Sequence, residues 1–205
     1  MTTCIRFHDL TTWRLHDLTT SPLTPSMPQP RTSPVTPAGD GVDRGRIVRL
    51  ARSWIGTPYH HQASTRGVGT DCIGLVRGVW RALYGSEAEA APSYSRDWAE
   101  ATGQETLLEA ARRHLTEVAP ADAQPGDVLI FRYRATSVAK HAAILATPTT
   151  MIHAFEGAPV CEVTLSPWWR RRLAGAFTFP GVDEPIAARR GPGKETPFVV
   201  SGLQR

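Results

Sequence analysis

The spacing of apolar residues changes at Pro125-Gly126, and this change constrains the fold more than any other feature of the chain. Before it, three segments place apolar residues at the i, i+3, i+4, i+7 spacing of amphipathic helices: 43–55, 72–83 and 107–115. After it the period becomes two, and the stretches VLIFRY, HAAILA, MIHAF, VCEVTL and AGAFTF predict five strands. Helices followed by consecutive strands predict an α+β fold, with N-terminal helices packed on an antiparallel sheet rather than alternating βαβ units.

Both ends of the chain differ in composition from the middle. Residues 21–41 hold six of the 17 prolines, and each proline fixes a dihedral angle and removes a backbone donor. We therefore predict a disordered Thr/Pro-rich leader and linker at 1–41, although a docking tail would have the same composition. Residues 182–205 mix glycine, proline and charges and predict a flexible tail, which leaves 42–181 for the folded domain.

Neither a membrane span nor a secretion signal is predicted. No run of about 18 apolar residues occurs in the sequence, and its first 20 residues lack the pattern of a signal peptide. We therefore expect synthesis in the cytoplasm without a signal peptide. The formal net charge of +4 is compatible with an anionic partner, such as cell wall or nucleic acid, and does not decide between them.

Cys72 stands at the predicted start of a helix. Thr70 and Asp71 are residue types that cap helix N-termini, so Cys72 would lie in the first turn, where unpaired N–H groups and the helix dipole favour a negative charge. A thiol in such a place has a lowered pKa and predicts a nucleophilic thiolate. The alternative is a small core residue, because Cys72 also lies on the apolar stripe of the helix.

His141 and His153 lie in two successive predicted strands. If these strands pair through a three-residue loop at 147–149, His141 faces Phe155 and is diagonal to His153 on the same face of the sheet. His141 could then take a proton from Cys72 while His153 orients the first imidazole. A loop of even length would place the rings on opposite faces, and each histidine alone could equally be a half-buried strand residue bound by backbone.

Five motifs in order, GTPYHHQ, TDCIGLV, PGDVLIF, KHAAI and MIHAFEG, closely resemble the NlpC family of peptidoglycan cysteine peptidases. They are most similar to the branch carried by tailed phages and gene transfer agents. The resemblance covers about 43–181 and implies a papain-like cysteine peptidase fold. It implies Cys72 as nucleophile, His141 as base and His153 as the third polar residue. It also places Tyr59, Asp71 and Ile73 along the substrate and oxyanion site, where Ile73 is larger than the usual family residue.

The resemblance further implies a reaction and partners. The family hydrolyses an isopeptide bond of the cell-wall stem peptide, typically between D-glutamate and diaminopimelate, and needs no metal or cofactor. The expected partners are the stem peptide and tail hub or tip proteins, with action on the wall in the periplasm as part of a tail particle. A tail-tip structural or wall-binding protein with little activity is the first alternative, and a thiol-dependent amidase or acyltransferase is the second.

Two further motifs carry weaker signals. His60-His61 could suggest zinc, but adjacent histidines point in different directions and no further ligand stands at a usual spacing, so no metal site is predicted. The stretch PWWRRR, 167–172, could bind nucleic acid by stacking and phosphate contacts. Covering a sheet edge or docking a protein is the more common role for such a cluster, so no specific nucleic-acid partner is expected.

Overall fold

The computed structural model describes residues 42–90 and 103–182. The predicted leader at 1–41 and almost all of the predicted tail lie outside the described residues. Val182, the first residue of that predicted tail, is buried in the helix-side core. Within the described ranges, every helix is too short or too polar to cross a membrane.

The elements follow the order that the periodicity predicted, with additions. The helices are α1 (Arg44–Arg52), α2 (Cys72–Tyr84), α3 (Thr106–His114) and α4 (Pro167–Arg170), with a 3-10 turn at Pro120–Asp122. The strands are β1 (Ser64–Thr65), β2 (Gly69–Thr70), β3 (Thr116–Val118), β4 (Val128–Phe131), β5 (His141–Thr147), β6 (Thr150–His153), β7 (Cys161–Thr164) and β8 (Leu173–Thr178). The three amphipathic helices and five main strands are confirmed, whereas the short β1, β2, β3 and α4 were not predicted.

Six strands form one sheet in the order β3-β8-β4-β5-β6-β7, and every neighbouring pair is antiparallel. One face packs against α1, α2 and α3 and holds the larger core, which includes Ile47, Leu75 and Ile144. The opposite face carries a second core, with Phe131 and Trp169 among its members. The predicted α+β architecture, with N-terminal helices on an antiparallel sheet, is confirmed.

A buried polar cluster fixes α1 to the sheet. Asp127, one residue before β4, accepts hydrogen bonds from the Arg44 guanidinium at 2.6 Å, from the Thr178 hydroxyl and from the Gln124 backbone N–H. The carboxylate is buried, and each of these donors belongs to a different part of the fold. We call Arg44, Asp127 and Thr178 the Asp127 cluster. It explains the aspartate of the PGDVLIF motif as a structural residue.

Two glycines allow close packing around α2. A Cβ atom on Gly74 would lie 1.9 Å from the Ala63 carbonyl oxygen, and one on Gly78 would lie 1.9 Å from the Trp54 ring. A larger residue at Gly74 would therefore displace the loop before β1, and one at Gly78 would displace the Trp54 ring, which follows α1. This packing holds the N-terminus of α2 against the loop that precedes it.

Candidate active site

Asp71 fixes the N-terminus of α2, where Cys72 is the first helical residue. One carboxylate oxygen accepts the Gly74 N–H at 2.7 Å and the other accepts the Gln62 N–H at 2.7 Å. Gln62 has a φ of 64°, which the bond to Asp71 helps to hold. Asp71 is buried, so its contacts are those of a helix cap that also ties down the adjoining loop.

The Cys72 sulfur lies against the beginning of β5. Its Sγ atom is 4.0 Å from the Lys140 carbonyl oxygen, and the Ala142 N–H also interacts with it. These two backbone groups flank His141 in the sequence. The structure therefore brings Cys72 and His141 to the same end of the sheet, although no hydrogen bond joins Sγ to the His141 ring in the described part of the chain.

The thiol of Cys72 is a weak acid in this environment. Burial, followed by the negative charge of Asp71, raises the pKa of Cys72 to about 12. Backbone N–H groups of Ala142, Ile73 and Cys72 lower the pKa but do not outweigh burial. The shift is therefore opposite to the lowering expected at a helix N-terminus, because that argument left out desolvation and the charge of the capping residue.

His141 and His153 are in direct contact. Nε2 of His141 lies 3.0 Å from Nδ1 of His153, and both rings are buried. The predicted three-residue loop is wrong, since Thr147 pairs with Thr150 and only residues 148 and 149 connect the strands. A bulge between Leu145 and Thr147 compensates for the shorter loop, because the remaining pairs keep the register that places His141 and His153 diagonally on one face.

Both imidazoles are held neutral. Burial, with a smaller contribution from His153, lowers the pKa of His141 well below its ordinary value of 6.5. Burial alone lowers the pKa of His153 to about 4. At neutral pH the pair therefore carries no charge, and His141 is in the proton-accepting form that a general base requires.

Aromatic rings surround the histidine pair. Trp169 stacks on His141 with ring centroids 5.2 Å apart, and its edge meets His153 at 5.6 Å. Phe131, Tyr133 and Phe155 complete the enclosure. The contact between His141 and Phe155 was foreseen from the strand register, but Trp169 was not assigned to the site, since no local spacing links α4 to β5.

The remaining candidate residues occupy two sides of Cys72. Tyr59 forms an isolated backbone bridge with Thr70, two residues before the cysteine. The Ile73 side chain packs on the helix-side core, while its N–H interacts with the Cys72 sulfur. At Ile73 it is therefore the backbone N–H, and not the core-packed side chain, that lies at the sulfur.

His61 lies near Asp71 without forming a metal site. Its Nδ1 atom is 3.7 Å from an Asp71 carboxylate oxygen, and His60 is exposed. Across residues 42–90 and 103–182, no three His, Cys, Asp or Glu side chains are grouped as metal ligands would be. The contact with Asp71 instead joins this loop to the capping interaction at α2.

Comparisons with known proteins agree with this geometry. The family model described as NlpC/P60 matches residues 56–178. The chain is 29% identical over 154 residues to the gamma-DL-glutamyl hydrolase of Bacillus subtilis (strain 168), covering 75% of this chain and 32% of that protein. It thus spans about a third of the length of this curated relative.

Solved structures share the fold. The NlpC/p60 domain of the peptidoglycan hydrolase SagA superposes with a TM-score of 0.50 at 24% identity, covering 67% of this chain and all of the domain. An NlpC/P60 family protein from Bacillus cereus ATCC 10987 superposes with a TM-score of 0.51 at 18% identity, covering 68% of this chain and 41% of that protein. At these identities the two structures support the papain-like architecture alone.

Proposed function

The chain belongs to the NlpC/P60 family, and we propose that it is a cysteine peptidase that hydrolyses amide bonds in peptidoglycan stem peptides. The observation that carries this proposal is the arrangement at one end of the sheet. There the Cys72 sulfur lies beside the backbone of β5 next to His141, and His141 contacts His153. This order of thiol, base and orienting group is that of a nucleophile triad.

The proposed reaction begins with proton transfer from Cys72 to His141. Because Nε2 of His141 faces His153, Nδ1 is the ring atom left for the thiol. Sγ then attacks the substrate carbonyl, and the N–H groups of Cys72 and Ile73 stabilise the oxyanion. The His141 imidazolium protonates the leaving amine, and a water molecule, deprotonated by His141, releases the acid from the thioester.

The resting state of the proposed enzyme is a neutral thiol beside a neutral imidazole. Burial raises the pKa of Cys72 and lowers the pKa of His141, so an ion pair is disfavoured before substrate binds. Sγ must also leave the Lys140 carbonyl and turn toward the ring. We therefore expect thiolate formation to accompany substrate binding, when the developing oxyanion meets the helix N–H groups.

The bond that we propose is the γ-D-glutamyl-diaminopimelate bond. Support comes from the five motifs of the sequence and from the relative named a gamma-DL-glutamyl hydrolase. Both point to an amide formed by the side-chain carboxyl group of glutamate. The aromatic enclosure of His141 would exclude water from the reacting groups on that side.

We further propose that the protein acts within a phage-like tail and opens the wall locally in the periplasm during DNA delivery. The support is the similarity of the five motifs to the branch found in tailed phages and gene transfer agents. Association with tail hub or tip proteins is part of this proposal. Detection of the protein in purified particles, compared with the free soluble fraction of the same cells, tests it.

A second candidate is a wall-binding tail protein that has kept the fold without efficient catalysis. The position of Sγ at the Lys140 carbonyl, rather than at the His141 ring, favours this alternative. The two candidates differ in whether Cys72 is required. Incubation of purified sacculi with the native protein and with Cys72→Ala distinguishes them.

In that experiment we expect muropeptide release by the native protein and a loss of at least about a thousandfold in the variant. Both proteins should bind sacculi equally and unfold at the same temperature, because the substitution removes only a sulfur atom. Mass spectrometry of the products identifies the bond and separates a peptidase from an amidase. Equal release by the two proteins would exclude the thiol mechanism, and binding without release by either would favour the second candidate.

A further inference from the structure

A small cavity with an arginine-rich lining shares Tyr133 with the aromatic enclosure of the histidine pair. It has a volume of about 230 Å³ and opens between the segment after β4 and the turn between α4 and β8. The two segments are joined by a hydrogen bond from the Arg132 N–H to the Arg172 carbonyl, at 3.0 Å. The charged lining residues are Arg132, Arg134, Arg171 and Arg172, which we call the arginine pocket.

Two of these arginines are held in place by the protein. Arg172 donates to the carbonyl groups of Tyr133 and Trp168 and lies 3.8 Å above the Trp168 ring. Arg132 forms an ion pair with Glu105 at 3.0 Å. Such fixed guanidinium groups lose little conformational entropy when they bind a ligand.

The other two arginines have no acidic partner within 42–90 and 103–182. Arg134 and Arg171 are exposed, and their guanidinium groups form no ion pair or hydrogen bond with another described residue. Among the described residues, Glu105 is already paired with Arg132, and the charge of Glu156 acts on the nearby Tyr133. Within the described part of the chain, the lining of the pocket therefore carries more positive than negative charge.

Tyr133 connects this pocket to the proposed catalytic groups. The residue lines the cavity, and its ring centroid lies 6.1 Å from that of His141. Lys140 adds another positive charge, with Nζ 5.8 Å from the Tyr133 ring. The Tyr133 side chain thus lies between the pocket and the His141 ring.

On the basis of the proposed function, we propose that the arginine pocket binds a free carboxylate of the peptide substrate next to the scissile bond. Guanidinium groups bind carboxylates through paired, charge-assisted hydrogen bonds. Nucleic acid is the less suitable anion, because base stacking needs open aromatic faces. Trp169 is buried and one face of the half-buried Trp168 is covered by Arg172, so little open aromatic surface is left for a base.

A comparison of two substrates tests the assignment. One is a stem peptide with its carboxylates free, and the other is the same peptide with the carboxylate beside the scissile bond amidated. For the native protein we expect kcat/KM to favour the free acid by about tenfold or more. In the double variant Arg134→Gln/Arg171→Gln this ratio should fall to about one. Arg112→Gln/Arg113→Gln, on α3, changes the net charge equally and should keep the native ratio.

A binding measurement separates failure of this assignment from failure of the proposed function. Titration calorimetry with Cys72→Ala should show tighter binding of the acid than of the amide, and adding the two arginine substitutions should abolish the difference. If the native protein cleaves neither peptide, the proposed function fails, and calorimetry still decides the role of the pocket. The assignment would be overturned if the folded double variant kept the native preference for the acid over the amide. It would also be overturned if a single-stranded oligonucleotide competed for the pocket more strongly than the acid peptide does.

Discussion

The Asp127 cluster and the histidine pair are both buried polar groups, but their partners differ. Asp127 is 1% exposed, and its carboxylate receives one guanidinium, one hydroxyl and one backbone N–H. His141 and His153 are equally inaccessible, at 2% and 1%, and apart from their mutual bond they face aromatic rings. At Asp127 the negative charge of the carboxylate is balanced by the Arg44 guanidinium, whereas the two histidines are uncharged and have no counter-ion among the described residues.

This difference indicates what each site does. A buried carboxylate with a complete set of donors fixes the elements that supply those donors, here α1, the segment before β4 and β8. A buried pair of titratable groups without a counter-ion gains nothing for stability from its burial. It does keep a base neutral and ready to accept a proton, which is the property that catalysis needs. Perturbation of the Asp127 cluster should therefore lower stability at neutral pH, whereas perturbation of the histidine pair should change activity and the pH dependence of stability.

Removal of the Asp127 carboxylate should have the largest effect on stability. Asp127→Ala removes the carboxylate to which the Arg44 guanidinium and the Thr178 hydroxyl donate. We expect a loss of about 3–5 kcal/mol in the free energy of unfolding, as for other broken buried ion pairs. Urea denaturation monitored by tryptophan fluorescence measures this loss.

The matched control for that experiment is Glu117→Ala. Glu117 pairs with Arg112 at 2.9 Å, but both side chains are about half exposed, so we expect no comparable loss. The fraction of Asp127→Ala that remains folded should keep its activity toward sacculi. A loss below about 1 kcal/mol, or a selective loss of activity in the folded variant, would mean that the Asp127 cluster is not a structural counterpart to the histidine pair.

The histidine pair should make the protein sensitive to acid. The pKa of His153 is about 4 in the folded state and about 6.5 in the unfolded chain, so the unfolded state binds more protons between these values. Burial of His153 therefore costs no pH-dependent stability above pH 6.5, and the folded state loses stability as the pH falls toward 4. At about 1.4 kcal/mol per pKa unit, His153 alone accounts for about 3 kcal/mol.

Urea denaturation between pH 4 and 7 tests this expectation. His153→Asn keeps a polar neighbour for His141 and should reduce the pH dependence of the unfolding free energy. Phe155→Leu alters the packing around both rings without removing a titrating group, so its stability should shift while the pH dependence remains. Native protein and His153→Asn with the same slope would show that the ring of His153 is not held neutral by burial.

The sequence was informative wherever local spacing determines structure. The helical stripe from Cys72 to Leu83, its Asp71 cap and its end at Gly85 all follow from short-range patterns, and the structure has each of them. The sequence also predicted that His141 and His153 lie diagonally on one face of the sheet, although the loop length assumed for that prediction was wrong. Local spacing gives no sign of the bulge between Leu145 and Thr147, which depends on how β5 and β6 pair in three dimensions.

Features that depend on the assembled fold were not predictable. Trp169 meets His141 only because α4 folds onto the sheet face opposite the long helices. The pKa of Cys72 depends on burial beside Lys140 and Ala142, residues about 70 positions away, and on the charge of Asp71. A motif predicts which groups meet, whereas their protonation depends on how much water the completed fold excludes.

The smallest effect that we predict concerns this influence of Asp71 on Cys72. Because the pKa of Cys72 is raised to about 12, we expect iodoacetamide to label it more slowly at pH 8 than it labels free cysteine. Asp71→Asn keeps an N-capping side chain but removes the negative charge, so labelling should become a few times faster. Mass spectrometry of the peptide that contains Cys72 measures the rate.

Asp43→Asn is the matched control for this substitution. Asp43 caps α1 by accepting the Arg46 N–H, so the variant changes the same chemistry at a helix that does not carry the thiol. Labelling of Cys72 should stay at the native rate in Asp43→Asn and rise only in Asp71→Asn. If both variants are labelled at the native rate, the charge of Asp71 does not influence the pKa of Cys72. Burial alone would then keep the thiol protonated, as it keeps His153 neutral.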